Sequence, residues 1–196
     1  MKILDSSKLW FISDTHFGHE NVIKFSGRPF RDREEMDRDM IAFWQQTVKP
    51  GDDVFHLGDF SFWPRQQTED ILLQLPGRIH LVSGNHDQKL LSGELRKRFF
   101  SISDLKEIRV ADPTLPGGWQ HIVLCHYAMR VWNKSHYGAW NLHGHSHGSL
   151  PSEPHLLQMD IGVDATKHYK PVPYEYVKAY MLTKTWKPVD YHEERR

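Results

Sequence analysis

Five short segments of the chain place aspartate, asparagine or histidine side chains directly after stretches that resemble β-strands. The segment around Asp59 is the clearest, because the apolar run 54–57 predicts a short buried strand and Gly58 permits a sharp turn after it. Asp59 would therefore stand at the carboxyl end of a strand, where α/β sheets place their chemistry. The other four segments are Asp14-Thr-His16, Gly84-Asn-His-Asp87, Cys125-His126 and Gly144-His-Ser-His147.

These side chains are typical ligands of transition-metal ions, and one carboxylate can bridge two cations through its two oxygens. His145 and His147 are two apart on an extended segment, so their imidazoles would point the same way, and flanking glycines free the loop to enclose an ion. Each segment alone has an ordinary explanation, such as an Asx turn at Asp14 or a core histidine at His126. All five together, each at the end of a strand, favour a metal centre bridged by Asp59.

Composition narrows the class of protein. The 196 residues predict a single domain over residues 1–196, and an apolar content of 39% supplies a substantial core. Lys plus Arg and Asp plus Glu balance at 25 each, so no overall charge favours nucleic acid or an acidic membrane. The 14 histidines indicate metal or proton chemistry. A single cysteine, no leader-like segment and no long apolar run predict a cytoplasmic protein.

Hydrophobic spacing predicts the elements that must position these segments. Strands are expected at 8–13, 54–57, 78–83, 139–143 and 155–164, with a hairpin formed by 106–110 and 119–125. Helices are expected from a cap at Asp32 to Pro50, and at 68–75, 88–98 and 173–181. An α/β first half followed by a strand-rich second half favours two packed sheets flanked by helices.

Taken together, the five segments resemble the calcineurin-like metallophosphoesterase superfamily, with motifs spread from residue 14 to residue 147. The stretches around them are similar to a small branch of bacterial and phage phosphoesterases; they are Ser13-Asp-Thr-His-Phe-Gly-His-Glu-Asn21, Gly27-Arg-Pro-Phe30 and His136-Tyr-Gly138. The resemblance implies an α/β fold, specifically a four-layer α/β/β/α sandwich of two mixed sheets flanked by helices. It also implies a two-metal site at one edge of the sheets.

A ligand set follows from the same resemblance. One ion would be held by Asp14, His16 and His147, the other by Asn85, His126 and His145, with Asp59 between them. Oxygen and nitrogen donors without a thiolate suit Mn, Fe, Zn, Ni or Co, and the resemblance favours Mn²⁺. His86 would protonate the departing alkoxide, the alternative being that it only shapes its loop by hydrogen bonding.

Substrate contacts are less defined. Protein phosphatases of the superfamily carry a second Asp and an Arg shortly after Gly-Asp, whereas this chain has Phe60-Ser-Phe-Trp63, which disfavours a phosphoprotein substrate. Those aromatic residues either face a base or aryl leaving group or belong to the core. Candidates for contacting the substrate lie near the motifs in sequence; they are Arg28, Arg130, Lys134, His136 and His19.

Three functions remain open at this point. A metal-dependent phosphoesterase acting on a phosphodiester or small nucleotide-like substrate is favoured. A nuclease on single-stranded nucleic acid uses the same core, but the neutral net charge gives it little support. A non-catalytic metal-binding scaffold would not need the intact ligand set with His86. The His86-Asp87 pair also occurs in all-helical phosphohydrolases, which the neighbouring glycine and strands disfavour. The sequence gives no membrane partner and leaves the oligomeric state open.

Overall fold

Two five-stranded sheets pack against each other in the computed structural model, which describes residues 3–189. The strands are β1 (Ile3–Asp5), β2 (Leu9–Ile12), β3 (Asp53–His56), β4 (Arg78–Val82), β5 (Ser101–Ser103), β6 (Leu105–Ala111), β7 (Trp119–Cys125), β8 (Trp140–His143), β9 (Gln158–Asp160) and β10 (Val172–Pro173). The helices are α1 (Glu20–Phe25), α2 (Arg33–Thr47), α3 (Arg65–Leu72), α4 (Gly93–Arg96), α5 (Val163–Thr166) and α6 (Tyr174–Met181).

The first sheet has the order β10-β2-β3-β4-β5, and its strands are parallel except for the antiparallel edge strand β10. The second sheet has the order β1-β6-β7-β8-β9, in which only the β6–β7 hairpin is antiparallel. The predicted α/β fold of two mixed sheets flanked by helices is therefore confirmed. Because β2, β3 and β4 run side by side in one direction, as do β7 and β8, the segments after these strands emerge at shared edges.

Two clusters of buried apolar residues hold the layers together. One joins the sheets to each other and to α6, for example through Phe55, Ile122 and Val177. The other packs α1 to α4 on the first sheet, where Trp44 of α2 is 1% exposed. Fully burying a large apolar side chain contributes roughly 1.5–3 kcal/mol, so these clusters fix the strand edges on which the site is built.

Helix α2 begins and ends where the sequence predicts. The side chain of Asp32 caps it by accepting a 2.8 Å hydrogen bond from the backbone N–H of Glu35. Its buried face carries Met36, Met40 and Trp44 at helical spacing, and it ends at Thr47, shortly before Pro50.

Two predicted elements are wrong in extent. The helix expected over 88–98 is a short turn followed by the four-residue α4, because Gly93 adopts a left-handed φ of 68° that interrupts the helix. The strand expected over 155–164 is reduced to β9, after which the chain turns into α5. There Asp160 accepts hydrogen bonds from the N–H groups of Gly148 and Gly162, which bend the chain in place of a continued strand.

Within residues 3–189, no helix combines the length and apolar character that a membrane crossing requires. The charged tail of the chain after residue 189 lies outside the described residues.

Candidate metal centre

The five chemical segments meet at one edge of the molecule. Strands β2, β3 and β4 of the first sheet deliver Asp14, Asp59 and Asn85, while β7 and β8 of the second deliver His126 and the segment 145–147. Contacts between the segments pair residues from both sheets, so the site lies where the two sheets' edges converge.

Most of the candidate ligands adopt a backbone conformation that residues other than glycine usually avoid. Five of the eight described non-glycine residues with a left-handed φ are candidate ligands: Asp14 (57°), His16 (53°), Asp59 (56°), His145 (67°) and His147 (49°). Such a conformation costs of order 1–3 kcal/mol per residue and persists only where surrounding contacts impose it. Those contacts include hydrogen bonds of 3.0 Å from Asp14 N to Gly58 O and from His16 N to Asp59 O.

Close packing of loops explains the glycines of the motifs. A Cβ on Gly58 would lie within 2.7 Å of Gly84 backbone atoms and of His126 Nδ1. A Cβ on Gly84 would meet the Asp59 carboxylate. The loops after β3 and β4 therefore approach each other as closely as their backbones allow.

The first group of donors consists of Asp14, His16 and His147, whose ligand atoms lie within 4.8 Å of one another. His16 is 4% exposed, and neither of its ring nitrogens has a hydrogen-bond partner among the described residues. Burial lowers the pKa of His16, which keeps the imidazole in the neutral form that binds metals. Burial also raises the pKa of Asp14 to about 8, so ionising this carboxyl is costly unless a cation lies beside it.

The second group consists of Asp59, His126 and His145, with Asn85 directed at the two imidazoles. His126 donates its Nδ1–H to the carbonyl of Leu57 at 2.6 Å, which turns Nε2 towards the centre. Asn85 Oδ1 lies 3.1 Å from His126 Nε2 and 3.1 Å from His145 Nδ1. A cation placed among these atoms would be coordinated by all of them.

Asp59 lies between the two groups. Its Oδ2 is 3.5 Å from His16 Nε2 and 3.6 Å from His126 Nε2. The carboxylate is 3% exposed, and its Oδ1 accepts a 3.0 Å hydrogen bond from the backbone N–H of His86. This placement fits a ligand shared by two ions, and the unpartnered nitrogens of His16 show that the residues present suit bound cations.

A buried carboxylate that sequence reasoning did not assign holds two of the loops in place. Asp87 is 0% exposed and accepts hydrogen bonds from the N–H groups of Asp59, Phe60 and Gly84, at 2.8, 2.9 and 2.8 Å. It thereby fastens the loop after β3 to the loop after β4. Its place at the end of the Gly84-Asn-His-Asp87 segment was the available signal.

Arg28 was predicted to contact the substrate, and the structure corrects this. Its side chain is 0% exposed, and it donates to both carboxylate oxygens of Asp164 at 2.9 and 2.8 Å. Its remaining three N–H groups go to the carbonyls of Asp14 (2.7 Å) and Thr15 (2.8 Å) and to Sδ of Met36 (3.4 Å), which leaves none for a phosphate. Asp164 Oδ2 also lies 2.6 Å from His147 Nδ1, so the pair orients His147 with Nε2 towards the centre.

Lys134 and His136 were also predicted as substrate contacts, and they lie at the wrong end of the second sheet. Lys134 Nζ is 5.9 Å from the Trp119 ring, at the start of β7, and His136 follows it just before β8 begins. His126 comes after the end of β7, which spans seven residues, or about 20 Å. Arg130 is exposed, and its role stays a prediction.

His19 does lie at the site. Its ring centroid is 5.5 Å from that of His16 and 4.1 Å from that of Phe62, and burial lowers its pKa. It helps to line a pocket of about 610 Å³ with His86, Phe25 and the histidines of the first group. Among the described residues, no lysine or arginine lines this pocket.

The aromatic segment after Asp59 divides between core and site. Phe60 is 0% exposed and belongs to the core, and Trp63 donates its indole N–H to Asp37. Phe62 is 37% exposed, and its ring centroid is 5.1 Å from that of His16 and 4.8 Å from that of His86. Phe62 was not singled out from the sequence, because nothing in the pattern separates it from its buried neighbours.

His86 lies at the mouth of the centre, and its predicted role in proton transfer stays a prediction. Its side chain is 47% exposed, and its Nε2 lies 4.0 Å from Asp59 Oδ2. It lines the pocket, with its ring 6.0 Å from that of His16. A histidine at the mouth of the centre can reach a leaving group without itself belonging to either ligand group.

Comparisons with known proteins agree with this geometry. An uncharacterized protein of Methanocaldococcus jannaschii is 29% identical over 177 residues, covering 87% of this chain and 89% of the relative. The gene 66 protein of Mycobacterium phage D29 is 28% identical over 182 residues, covering 81% and 89%. A crystal structure of a protein of unknown function from Aquifex aeolicus covers 88% of this chain and 98% of its own, at 26% identity and a TM-score of 0.66. A family model described as calcineurin-like phosphoesterase matches residues 7–190, and the chain belongs to that family.

Proposed function

We propose that the chain is a metal-dependent phosphodiesterase that hydrolyses a small, nucleotide-like diester with the help of two divalent cations, Mn²⁺ being the first choice. The observation that carries this proposal is the position of Asp59 Oδ2, 3.5 and 3.6 Å from imidazole nitrogens of the two donor groups. A cytoplasmic location is part of the proposal, because a single cysteine suits a reducing compartment.

Bound at these groups, two cations would lower the pKa of a water molecule and neutralise charge on the phosphate oxygens. The protein's own contribution is to fix the donors before substrate arrives. Asp87 fastens the Asp59 loop, and the Arg28–Asp164 pair orients His147. His86, whose side chain is 47% exposed, holds the proton that the departing alkoxide takes up.

The charge of the pocket favours a diester over a monoester. A phosphomonoester carries nearly two negative charges at neutral pH, and enzymes usually add arginine or lysine clamps to hold them. The described residues lining this pocket are histidines, serines and apolar residues, with no lysine or arginine. A diester, with a single negative charge, needs less compensation from the protein.

Aromatic side chains beside the pocket support a nucleotide-like leaving group. Phe25 is 81% exposed and lines the pocket, and Phe62, which is 37% exposed, contacts the pocket residues His19 and His86 with its ring. Stacking of a base on an aromatic ring contributes about 1–3 kcal/mol to binding. This gain would offset the cost of leaving such rings exposed to water.

The test is a substrate screen on purified chain loaded separately with Mn²⁺, Zn²⁺, Ni²⁺ or Co²⁺. We expect turnover of bis-nitrophenyl phosphate and of cyclic or dinucleotide diesters, with lower kcat/KM for nitrophenyl phosphate. The Phe62→Ala variant should lose more activity on nucleotide diesters than on the nitrophenyl diester. A preference for monoesters, or turnover confined to long single-stranded nucleic acid, would reject the proposal as stated.

A further inference from the structure

Buried side-chain nitrogens without a hydrogen-bond partner occur in two places among residues 3–189. His16 and His19 lie at the metal centre, where a cation would account for one of the two His16 nitrogens. The others belong to Arg109, His121 and His136, at the opposite end of the second sheet. Since a buried polar group without a hydrogen-bond partner destabilises the folded state, this second group of nitrogens indicates a feature separate from the metal centre.

Of these three residues, His121 lines a pocket of about 560 Å³. Its lining includes Leu115, Pro116, Trp119, His121, Lys134 and Tyr137. It lies at the start of β7, whereas the metal centre lies beyond the end of that strand, about 20 Å away. The volume is within the usual range of about 300–1,000 Å³ for small-molecule sites.

His121 lines the pocket and has one ring nitrogen without a hydrogen-bond partner among the described residues. It is 5% exposed, and its Nε2 lies 3.0 Å from a carboxylate oxygen of Glu107. An ionised carboxylate can only accept, so Nε2 carries the proton and Nδ1 of the neutral ring presents a lone pair. Nδ1 is buried and has no partner among the described residues, so a ligand O–H or N–H group that reached it would supply the missing hydrogen bond.

One cationic residue, Lys134, lines the pocket, and a second, Arg109, lies beside the lining residue Trp119. The Arg109 guanidinium lies 4.5 Å above the Trp119 ring, and Lys134 Nζ lies 5.9 Å from the same ring. Among the described residues, neither Arg109 nor Lys134 has a carboxylate oxygen within 4.0 Å. The neighbouring Glu107 is already engaged by His121 and Asn133. An anionic group is therefore the complement that the pocket lacks.

Aromatic side chains of the pocket favour a ligand that also carries an aromatic ring. Tyr137 is 79% exposed, so it does not belong to the core. It lines the pocket together with Trp119, Leu115 and Pro116. We infer that this pocket is a second binding site, separate from the metal centre, for an aromatic organic phosphate of mononucleotide size. Its phosphate would pair with Lys134, its hydroxyl or amino hydrogen would reach His121 Nδ1, and its base would lie against Tyr137 and Trp119.

The test measures binding of AMP to the metal-loaded full-length chain by calorimetry. Lys134→Ala and Tyr137→Ala change exposed or half-exposed side chains, so both variants should fold. Each should weaken AMP binding at the pocket at least tenfold, while Lys49→Ala, which removes an exposed lysine elsewhere, should not. Turnover of the nitrophenyl diester without AMP should be the same in all three variants.

A variant with a disrupted metal centre distinguishes AMP binding at the pocket from AMP binding at the metal centre. In His145→Ala, which disrupts the second donor group, one equivalent of AMP should still bind, and adding Lys134→Ala should remove it. Adenosine and ribose 5-phosphate should each bind at least tenfold more weakly than AMP. Loss of all AMP binding in His145→Ala, unchanged binding in Lys134→Ala, or ribose 5-phosphate binding as tightly as AMP would overturn the inference.

Discussion

The two donor groups of the metal centre differ in how firmly the protein holds them. The first is buried, with Asp14 0% and His16 4% exposed, and the Arg28–Asp164 pair fixes the orientation of its third member, His147. The second is open, since Asn85 and His145 are exposed to solvent. This difference predicts that an ion held by the first group is retained more tightly, whereas an ion held by the second group exchanges more readily.

The largest effect is expected where the two groups meet. Asp59→Asn removes a charge from the oxygen that lies between them, so turnover should fall by at least about a thousandfold. Both ions should bind more weakly, as measured by metal content after dialysis. Loss of one ion with the other unchanged would contradict the bridging position.

His86 should affect chemistry without affecting either ion. His86→Ala removes the proton donor, so turnover should fall about 10²–10⁴-fold with metal content unchanged. The loss should be greatest for alkyl esters, whose leaving groups need a proton, and smallest for nitrophenyl esters. Equal losses on the two esters would show that His86 only shapes its loop.

The Arg28–Asp164 pair should act on the buried ion alone. Asp164→Asn weakens the contact that orients His147, so the affinity of the tighter ion should fall about 10–100-fold, measured by competition with a chelator. The weaker ion should be unaffected. Asp70→Asn, an exposed carboxylate on α3, is the matched control. An equal change in both affinities would remove the distinction between the groups.

A graded chelation experiment compares the wild-type groups directly. Dialysis against increasing chelator should first remove one ion and abolish turnover, and remove the second only at concentrations about tenfold higher or more. The spectrum of Mn²⁺ by electron paramagnetic resonance should pass from a coupled pair to a single ion. Simultaneous loss of both ions would mean that burial does not separate them.

The smallest effect is expected at Asp37, which holds the loop next to His16 of the first donor group. Asp37 accepts hydrogen bonds from Gly18 N and from Trp63, and burial raises its pKa to about 6. The unfolded value is about 3.9, so the native state binds the extra proton between these values, and its contribution to stability falls as pH rises through that window. Asp37→Asn should therefore gain stability relative to wild type from pH 4 to pH 6, measured by urea unfolding.

Much of the fold and the convergence of the donor residues could be predicted from the sequence, because those signals are local. An apolar run followed by glycine and a polar ligand identifies a strand end, and the capped helix α2 carries its own start and stop. The supports were not predictable, since Arg28 and Asp164 are separated by 136 positions and only the folded chain brings them together. Lys134 and His136 show the opposite case: they are close to His126 along the chain, but the connection from the end of β7 to the start of the parallel strand β8 carries them to the other end of the sheet.

The left-handed backbone at Asp14, His16, Asp59, His145 and His147 has a consequence for how such a protein would lose its activity. The backbone conformation at each of these positions suits glycine better than the residue present. Only the need for a metal-binding side chain therefore opposes replacement by glycine. Once that need disappeared in a descendant, drift would relieve the strain, and glycine or asparagine would collect at these positions while the sheets stayed intact. Among proteins of this shape, glycines there would mark a scaffold whose ancestors were enzymes.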